Sequence, residues 1–329
     1  PKASAPEAEA DLEQARLALE TCRQLSPQNY VPYFLGGQLH AELAQRRRDG
    51  GGDARADLAT ALALYQRGSA INPRIAQLHN GGALVLIEQA REAWDRDEPP
   101  FARLEEARAA CMRAIEVAPQ QGFGHNNMGE VHFERAHYRL LAGEDPRADL
   151  HAAETAYRKA AELLPGLAAP WANLARAHAT LAAFELEQGQ DPRRGLERAE
   201  QALRDTFERN AQQPQALLYQ GEVQGLRARW LARQHRARAG DFEEAARAFD
   251  KAVELHPRRL DFRLAYGQFC REWARWRQEA GIDPGPALER GLARVDEVLA
   301  ARPSWASALR LRASLRQAME RPGLSAAPP

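Results

Sequence analysis

The sequence has little of what β-strands need, and it has few cysteines. Aromatic residues make up 7% of its 329 positions, and valine, isoleucine and threonine are sparse beside alanine, leucine, arginine and glutamate. This composition favours helices over sheets. The three cysteines, Cys22, Cys111 and Cys270, lie far apart with no CxxC pair, which argues against a zinc knuckle or a disulfide framework and indicates a reducing compartment. We therefore expect an all-α, cytoplasmic protein.

Net charge and long apolar runs are also missing. The chain carries 45 basic and 45 acidic residues, so it has no overall field that would attract nucleic acid or a membrane surface. No apolar run approaches the roughly 20 residues of a membrane span, and no signal peptide opens the sequence. We expect no membrane contact, and any electrostatic recognition must be local.

What the chain does contain is a strict internal repeat of 46 residues. Small residues fill one position of it seven times in succession, at Ala15, Ala61, Ala107, Ala153, Ala199, Ala245 and Gly291. A second small column runs from Gly37 to Ala313, and a third from Ala44 to Ala274. Small residues at fixed places on helices indicate that the backbone of another helix approaches closely there. The columns therefore predict regular helix–helix contacts.

Proline, glycine and aspartate mark the helix ends in each repeat. A proline closes one helix in most repeats, at Pro27, Pro73, Pro119, Pro165, Pro257 and Pro303. Glycine then favours a left-handed stop, at Gly51, Gly143, Gly189 and Gly281. Two residues later an aspartate can cap the next helix, with proline at its first position in three repeats. Each repeat is thus helix A, a tight turn and helix B, for example at roughly 122–142 and 146–164.

Two segments resemble the first-helix signature of tetratricopeptide repeats. They are Ala-Ala-Pro-Trp-Ala-Asn-Leu-Ala at 168–175 and Gly-Phe-Gly-His-Asn-Asn-Met-Gly at 122–129. Ala153, Tyr157, Ala160 and Pro165 resemble the second helix of the same pattern in the same way. The resemblance covers nearly the whole chain, but the ordinary period is about 34 residues. The additional length falls in helix A and its turn.

The Gly-x-Asp-Pro-Arg-x-x-Leu turn at 143–150 and 189–196 looks like the long repeats in the C-terminal arrays of certain bacterial serine/threonine protein kinases. The kinase catalytic motifs themselves, a Gly-rich loop, His-Arg-Asp and Asp-Phe-Gly, do not occur in this sequence. The resemblance therefore implies association with a kinase domain or fusion to one, and no phosphoryl transfer by these residues.

The resemblance implies a right-handed α-solenoid of antiparallel helical hairpins, a superhelix with no sheet. We expect a flexible segment at 1–7 and a disordered tail at 321–329. Between them, a single solenoid over 8–320 would contain about six and a half to seven hairpins and end in a capping helix at 304–320.

The resemblance also implies that a partner polypeptide lies on the concave wall built from helices A. Spacings of three and four residues return to one side of a helix, and steps of 46 carry that side through the array. The expected partner-binding residues are Phe34, Gln38, Asn80, Arg91, Asn126, Asn127, Glu130, Phe133, Asn173, Arg176, Glu222, Arg229, Gln268, Arg271 and Arg275. The alternative is an ordinary solvated helix face.

Three of these residues, Asn126, Asn127 and Asn173, stand where such repeats often carry an amide that bonds to the backbone of a bound peptide. Local hydrogen bonding at the helix end is the alternative. The stretch 226–240 contains five arginines and no acid, which indicates a partner with an acidic segment.

The function that we expect is a non-catalytic protein–protein interaction scaffold, the partner-binding or regulatory module of a bacterial signalling protein. No nucleophile elbow or HExxH motif occurs, so we expect no enzymatic activity, no cofactor and no metal site. His40, His132 and His178 share a column that a packing aromatic normally fills.

Two alternatives stay open. One is a purely structural spacer or oligomerisation module. The other is a nucleic-acid-binding solenoid that uses the arginine-rich repeats near 226–277, with Trp230, Trp273 and Trp276 for stacking. The second is disfavoured because Trp230 and Trp276 share a column with Tyr138 and Phe184, as residues that pack between repeats do.

Overall fold

The computed structural model describes residues 5–49, 52–96 and 98–320, and within these ranges the chain forms fourteen α-helices and no strand. The all-α helical repeat fold is therefore confirmed. The helices are α1 (Ala5–Leu25), α2 (Val31–Asp49), α3 (Arg55–Ile71), α4 (Ala76–Trp94), α5 (Phe101–Val117), α6 (Gly122–Leu141), α7 (Arg147–Leu163), α8 (Ala168–Glu187), α9 (Arg193–Arg209), α10 (Pro214–Arg233), α11 (Ala239–Leu255), α12 (Leu260–Glu279), α13 (Gly285–Ala301) and α14 (Ala306–Glu320).

The predicted helix boundaries agree with the structure to within two residues. Helices A are the even-numbered ones, of 19 or 20 residues apart from the 15-residue α14, and helices B after α1 have 17 residues. The last helix begins at Ala306, where we expected 304. Residues 1–4 and 321–329 of the two predicted termini lie outside the described residues, and α1 begins at Ala5.

The chain divides into two compact units, Pro1–Pro165 and Gly166–Pro329. In the first unit α3 packs on α2 and α4, and α5 packs on α4 and α6. In the second unit α9, α11 and α13 each pack between two successive helices A. The helices A of each unit also pack on one another, so each unit has an A layer of even-numbered helices and a B layer of odd-numbered ones. A single solenoid over 8–320 stays a prediction.

The small columns are buried except at Ala15 in α1 and Ala313 in α14. In the column that contains Gly37, Gly129 and Gly221, the group that approaches differs from the one that the sequence predicted. A Cβ atom added to Gly129 would lie 2.5 Å from the ring of Tyr157, and one added to Gly221 would lie 2.8 Å from the ring of Phe249. Gly37 faces Tyr65 in the same way, also at 2.8 Å. What approaches these glycines is therefore an aromatic ring of helix B and not a helix backbone.

Size is matched across this contact. The ring stands 28 residues after the glycine, in the same hairpin. Where that later position holds the smaller Cys111 or Leu203, the helix A position is Ala83 or Ala175. The pair Gly267 and Val295 departs from the pattern. Because interiors are close-packed, each hairpin keeps its two helices close only when the two side-chain volumes are complementary.

The turns between helices A and B follow the predicted conformation. Gly143, Gly189 and Gly281 have φ values of +76°, +71° and +69°. Gly51 lies outside the described residues. In the α10–α11 turn the equivalent residue is His235, with a φ of 54°, the one non-glycine residue in the described part of the chain with positive φ. A side chain in this left-handed region is strained.

The capping aspartates act from one residue farther out than predicted. Asp145 Oδ1 accepts the backbone N–H of Arg147 at 2.9 Å, and Asp191 and Asp283 bond in the same way to the residue two positions later. Pro146 and Pro192 are the N-cap residues, immediately before the helix, and not its first residues. The aspartate thus satisfies the first free amide across the intervening proline.

The cysteines are free thiols, with Cys22 exposed and the other two buried. Burial raises the pKa of Cys111 and of Cys270 to about 12, so both are protonated and unreactive at neutral pH. Across the described residues, none of the helices is at once long enough and apolar enough to span a bilayer.

The ring-to-glycine contact predicts that Gly129→Ala destabilises the chain. A methyl group there would meet the Tyr157 ring, and we expect unfolding free energy to fall by about 1–2 kcal/mol, since overpacking outweighs the helix propensity of alanine. Denaturant unfolding followed by circular dichroism measures this. The control is Gly240→Ala in α11, where nothing lies within 4 Å of an added Cβ. Equal stability of the two variants would contradict the size-matching argument.

The turn conformations predict opposite effects at two equivalent positions. Gly189→Ala places a Cβ at a φ of +71°, and we expect a loss of about 1 kcal/mol. His235→Gly removes such a Cβ, and we expect a gain of roughly 0.5–1 kcal/mol after the entropy of glycine is subtracted. Both are measured by denaturant unfolding. A loss of stability in both variants would show that His235 is not strained.

Candidate partner-binding faces

All fifteen predicted partner-binding residues lie on helices A, distributed over α2, α4, α6, α8, α10 and α12. We define the A face of the first unit by Gln38, Leu84, Glu88, Arg91 and Glu130. We define the A face of the second unit by Arg176, Glu222, Arg229, Gln268, Arg271 and Arg275. Each face is described within its own unit.

Three of the predicted residues are buried inside the first unit. Asn80, Asn127 and Phe133 are 8%, 5% and 6% exposed. The Asn127 side chain donates to Asn80 Oδ1 at 3.4 Å, a long contact that joins α4 and α6. Asn126 and Asn173 are half-buried. The role of these amides in holding a bound peptide stays a prediction.

A pocket of about 100 Å³ opens between α2 and α4. Ala41, Gln45 and Arg48 of α2 line one wall, and Leu84 and Glu88 of α4 line the other. Tyr65 and Leu58 of α3 also contribute to its lining. Leu84 is 48% exposed at this pocket. The pocket therefore combines an apolar surface with a charged edge.

The set of partner-binding residues predicted from the sequence omitted Leu84, although the repeat spacing indicated it. Leu84 stands 46 residues after Gln38 and 46 before Glu130, both of which were in the predicted set. A complete set of steps along that column would have included it. Gln38 is exposed and Phe34 is half-buried on α2.

Beside the pocket, an ion cluster joins three helices A of the first unit. Its members are Arg48, Glu88, Arg91, Glu130 and Glu134. Arg91 contacts Glu88 at 2.5 Å and Glu134 at 2.9 Å, and it also pairs with Glu130, while Arg48 pairs with Glu88. Tyr157 donates its hydroxyl hydrogen to Glu130 Oε2 at 2.7 Å. Three carboxylates, those of Glu88, Glu130 and Glu134, thus converge on the Arg91 guanidinium group.

Glu222 occupies the same repeat position as Glu130, 92 residues later, in different surroundings. The positions of Arg91 and Tyr157 hold Ala183 and Phe249 there, and neither of these can donate a hydrogen bond to a carboxylate. Burial raises the pKa of Glu222 to about 7, against the lowering effect of Arg176, and Asp261 raises it further.

An arginine strip follows on α10 and α12, formed by Arg229, Arg233, Arg271 and Arg275. Arg233 contacts Glu187 at 2.9 Å, and Arg229 pairs with the same carboxylate. Glu272 lies 2.5 Å from Arg275, 3.4 Å from Arg271 and 3.7 Å from Arg229. Glu279 is 4.0 Å from Arg275. Four arginines thus share three carboxylates, and Glu272 alone contacts three of the arginines.

The tryptophans near this strip pack inside the unit. Trp276 stacks on Phe242 with ring centroids 4.5 Å apart, and Trp273 is 7% exposed beside Phe269. Trp230 is half-buried. The stacking of Trp276 agrees with the packing interpretation of its column, and the burial of Trp273 leaves little of that ring for base stacking.

Two histidines of the shared column pair with aspartates, which sequence reasoning missed. His40 Nδ1 lies 3.0 Å from the buried Asp57, and His132 Nδ1 lies 3.7 Å from the buried Asp149. Asp57 and Asp149 are 92 residues apart, as the two histidines are, and this shared spacing was the available signal. The pairs join helix A to helix B within a hairpin. No group of three metal-ligating side chains converges in the described ranges.

The burial of Glu222 predicts a pH-dependent stability. Because its folded-state pKa is raised to about 7, the contribution of this group to stability is complete below its ordinary pKa and is lost as pH rises through 7. We expect Glu222→Gln to be more stable than the wild type at alkaline pH by roughly 1–3 kcal/mol, and equally stable at acidic pH. Denaturant unfolding across pH measures the gap. Glu208→Gln, exposed on α9, is the control, and a gap independent of pH would contradict the argument.

Neither a protein-family model nor a curated protein matches the chain. Solved structures do match it. One is a chain from the crystal structure of the APC/C hetero-tetramer Cut9–Hcn1, with a TM-score of 0.59 and 11% identity over 95% of this chain and 47% of that one. The present chain thus spans about half the length of that relative.

A second match is a tetratricopeptide repeat protein from Parabacteroides merdae, with a TM-score of 0.50 and 14% identity over 87% of each chain. At such identities the likeness concerns the fold alone. The chain therefore has an all-α helical repeat fold of the tetratricopeptide type.

Proposed function

We propose that this chain is a non-catalytic protein–protein interaction scaffold that binds a partner polypeptide on its A faces. The observation that carries the proposal is the pocket between α2 and α4, where the half-exposed Leu84 stands beside Arg48 and Glu88. An apolar anchor site with a polar rim is how protein interfaces concentrate their binding energy. A pocket of about 100 Å³ accommodates one apolar side chain of a partner.

The second unit supports a partner with an acidic segment. On the arginine strip, Arg271 and Arg275 have side chains that are 44% and 58% exposed, and both share Glu272 with Arg229. A carboxylate from a partner would relieve this sharing, and arginine forks bind carboxylates in a bidentate manner. Exposed ion pairs contribute little to folding stability, so these arginines can leave their present carboxylates and bind those of a partner polypeptide at little cost.

The cellular role and the compartment that we propose for the scaffold rest on the sequence. The Gly-x-Asp-Pro-Arg turns resemble those of the C-terminal arrays of bacterial serine/threonine kinases, which supports a role as the partner-binding or regulatory module of a bacterial signalling protein. The cysteine pattern supports a cytoplasmic location. Tetratricopeptide folds act as scaffolds, and the raised pKa of the Cys111 and Cys270 thiols, about 12 in both, supports a non-catalytic role for these two residues.

The test is selection of ligands from a phage-displayed peptide library on the immobilised chain, followed by affinity measurements with the enriched peptides by fluorescence anisotropy. We expect Leu84→Glu to weaken peptides that bind the first unit about tenfold or more. We expect the double variant Arg271→Glu, Arg275→Glu to do the same for acidic peptides, whose affinity also falls as salt rises.

The matched control is Arg247→Glu with Lys251→Glu, an exposed pair with the same four-residue spacing on the B-layer helix α11. It should leave both affinities unchanged. If no peptide is enriched, or if enriched peptides bind the A-face variants as tightly as the wild type, the spacer function replaces the scaffold. Salt-dependent binding of single-stranded RNA that the double variant abolishes would favour the nucleic-acid alternative.

A further inference from the structure

A second cavity, larger than the A-face pocket, lies among α9, α10 and α11 of the second unit. Its volume is about 360 Å³, within the range of ligand sites in proteins. The walls are the B-layer helices α9 and α11, and α10 forms the floor. Its α10 residues Gln224 and Arg227 each stand two positions from the A-face residues Glu222 and Arg229, about 200° around the helix. This B-layer cleft therefore faces away from the A face.

This hairpin differs from its counterpart in the first unit at residues that line the cleft. There, His132 lies 3.7 Å and Arg135 3.3 Å from Asp149. Ninety-two residues later Gln224 stands at the histidine position, and Arg227 turns to Glu200 at 2.5 Å. Asp241 accepts the backbone N–H of Arg238 at 2.7 Å, at the start of α11. The polar groups are thus drawn to the walls.

Hydrogen-bond acceptors predominate in the lining. The carboxylates of Glu200, Asp241 and Glu244 line the cleft. Gln224 donates its amide hydrogen to Glu244 at 2.7 Å, which fixes the orientation of the amide. Gln224 Oε1 is then buried without a hydrogen-bond partner in the described part of the chain. This oxygen has almost no accessible surface, so a ligand in the cleft meets the carboxylates and not the amide oxygen.

The remaining lining is apolar or already engaged. Leu203, Phe207, Val223 and Ala228 contribute hydrocarbon surface. Arg227 is paired with Glu200, and Arg204 donates to Gln201 at 2.6 Å, outside the cleft lining. Gln201 is neutral, so Arg204 keeps its positive charge, and the lining holds three carboxylates against two guanidinium groups. A cation with an aliphatic stem matches the charge and the hydrocarbon surface together.

We propose that the B-layer cleft binds an arginine side chain of a partner polypeptide, with the guanidinium group on the Glu244 and Asp241 carboxylates. The methylene stem packs on Phe207 and Val223. Arginine fits better than lysine because its planar fork presents five donors in fixed directions to several separate acceptors. The site is independent of the A faces and gives the scaffold a second binding surface.

The experiment is an NMR titration of the full chain with N-acetyl-arginine amide, compared with N-acetyl-citrulline amide, in which a neutral urea replaces the guanidinium. For a ligand of this size we expect saturable binding with a dissociation constant on the order of 1–10 mM. Citrulline should bind at least fivefold more weakly. Glu244→Gln keeps the shape of the cleft and should weaken arginine binding at least fivefold.

Two controls isolate the cleft. Glu243→Gln changes the neighbouring exposed residue of α11, outside the cleft lining, and should leave arginine binding unchanged. The A-face variant Leu84→Glu should do the same, so that failure here and failure of the A-face proposal are separable. Asp241→Asn is a second cleft variant if Glu244→Gln does not fold. Absence of saturation, equal binding of citrulline, or wild-type affinity in both cleft variants would overturn the proposal.

Discussion

The contact between a small residue on helix A and the side chain 28 residues later on helix B sets how closely the two helices of a hairpin approach. Gly129 and Tyr157 show it most clearly, because no side chain beyond hydrogen fits beneath the ring. The ring is fully buried, yet its hydroxyl reaches Glu130 and enters the ion cluster. One residue therefore stabilises the hairpin by packing and also positions a charged group on the A face. The polar arrangement of that face depends on this steric constraint.

Much of the fold follows from the sequence because the same residue pattern recurs in each repeat. Prolines, glycines and the 46-residue period place the helices and the left-handed turns. The nature of the contact at the small columns did not follow, because a small residue shows that something approaches and does not show what. The position of the capping aspartate was also wrong by one residue, since the proline can stand just before the helix as well as within its first turn.

The faces were harder to predict than the helices. Periodicity places Asn80, Asn127 and Phe133 beside exposed positions, but the depth to which each is covered depends on how the neighbouring helix crosses, which spacing does not encode. The sequence alone showed that arginines are concentrated in this region. It did not show that they pair with Glu187 and Glu272, because those acids lie on α8 and α12 while Arg229 and Arg233 lie on α10. Contacts between repeats require the packed structure.

The two units differ in what their A faces offer. The first combines an apolar pocket with an ion cluster centred on Arg91, and the second carries the arginine strip and a glutamate, Glu222, whose pKa is about 7. An array of similar hairpins thus presents chemically different faces, because exposed positions vary while the packing positions stay fixed. Under the proposed function, these differences determine which partner segment each face binds.

The α10–α11 hairpin departs from the others in several positions at once. It has His235 where four other turns have glycine, Gln224 where three earlier hairpins have histidine, and Arg238 in place of the proline before helix B. In terms of gene history, tandem duplication produces equivalent copies, and the array tolerates divergence of one copy as long as its neighbours preserve the interfaces. Selection for an additional function of one copy would produce several changes in that copy, together with a cavity at the same place.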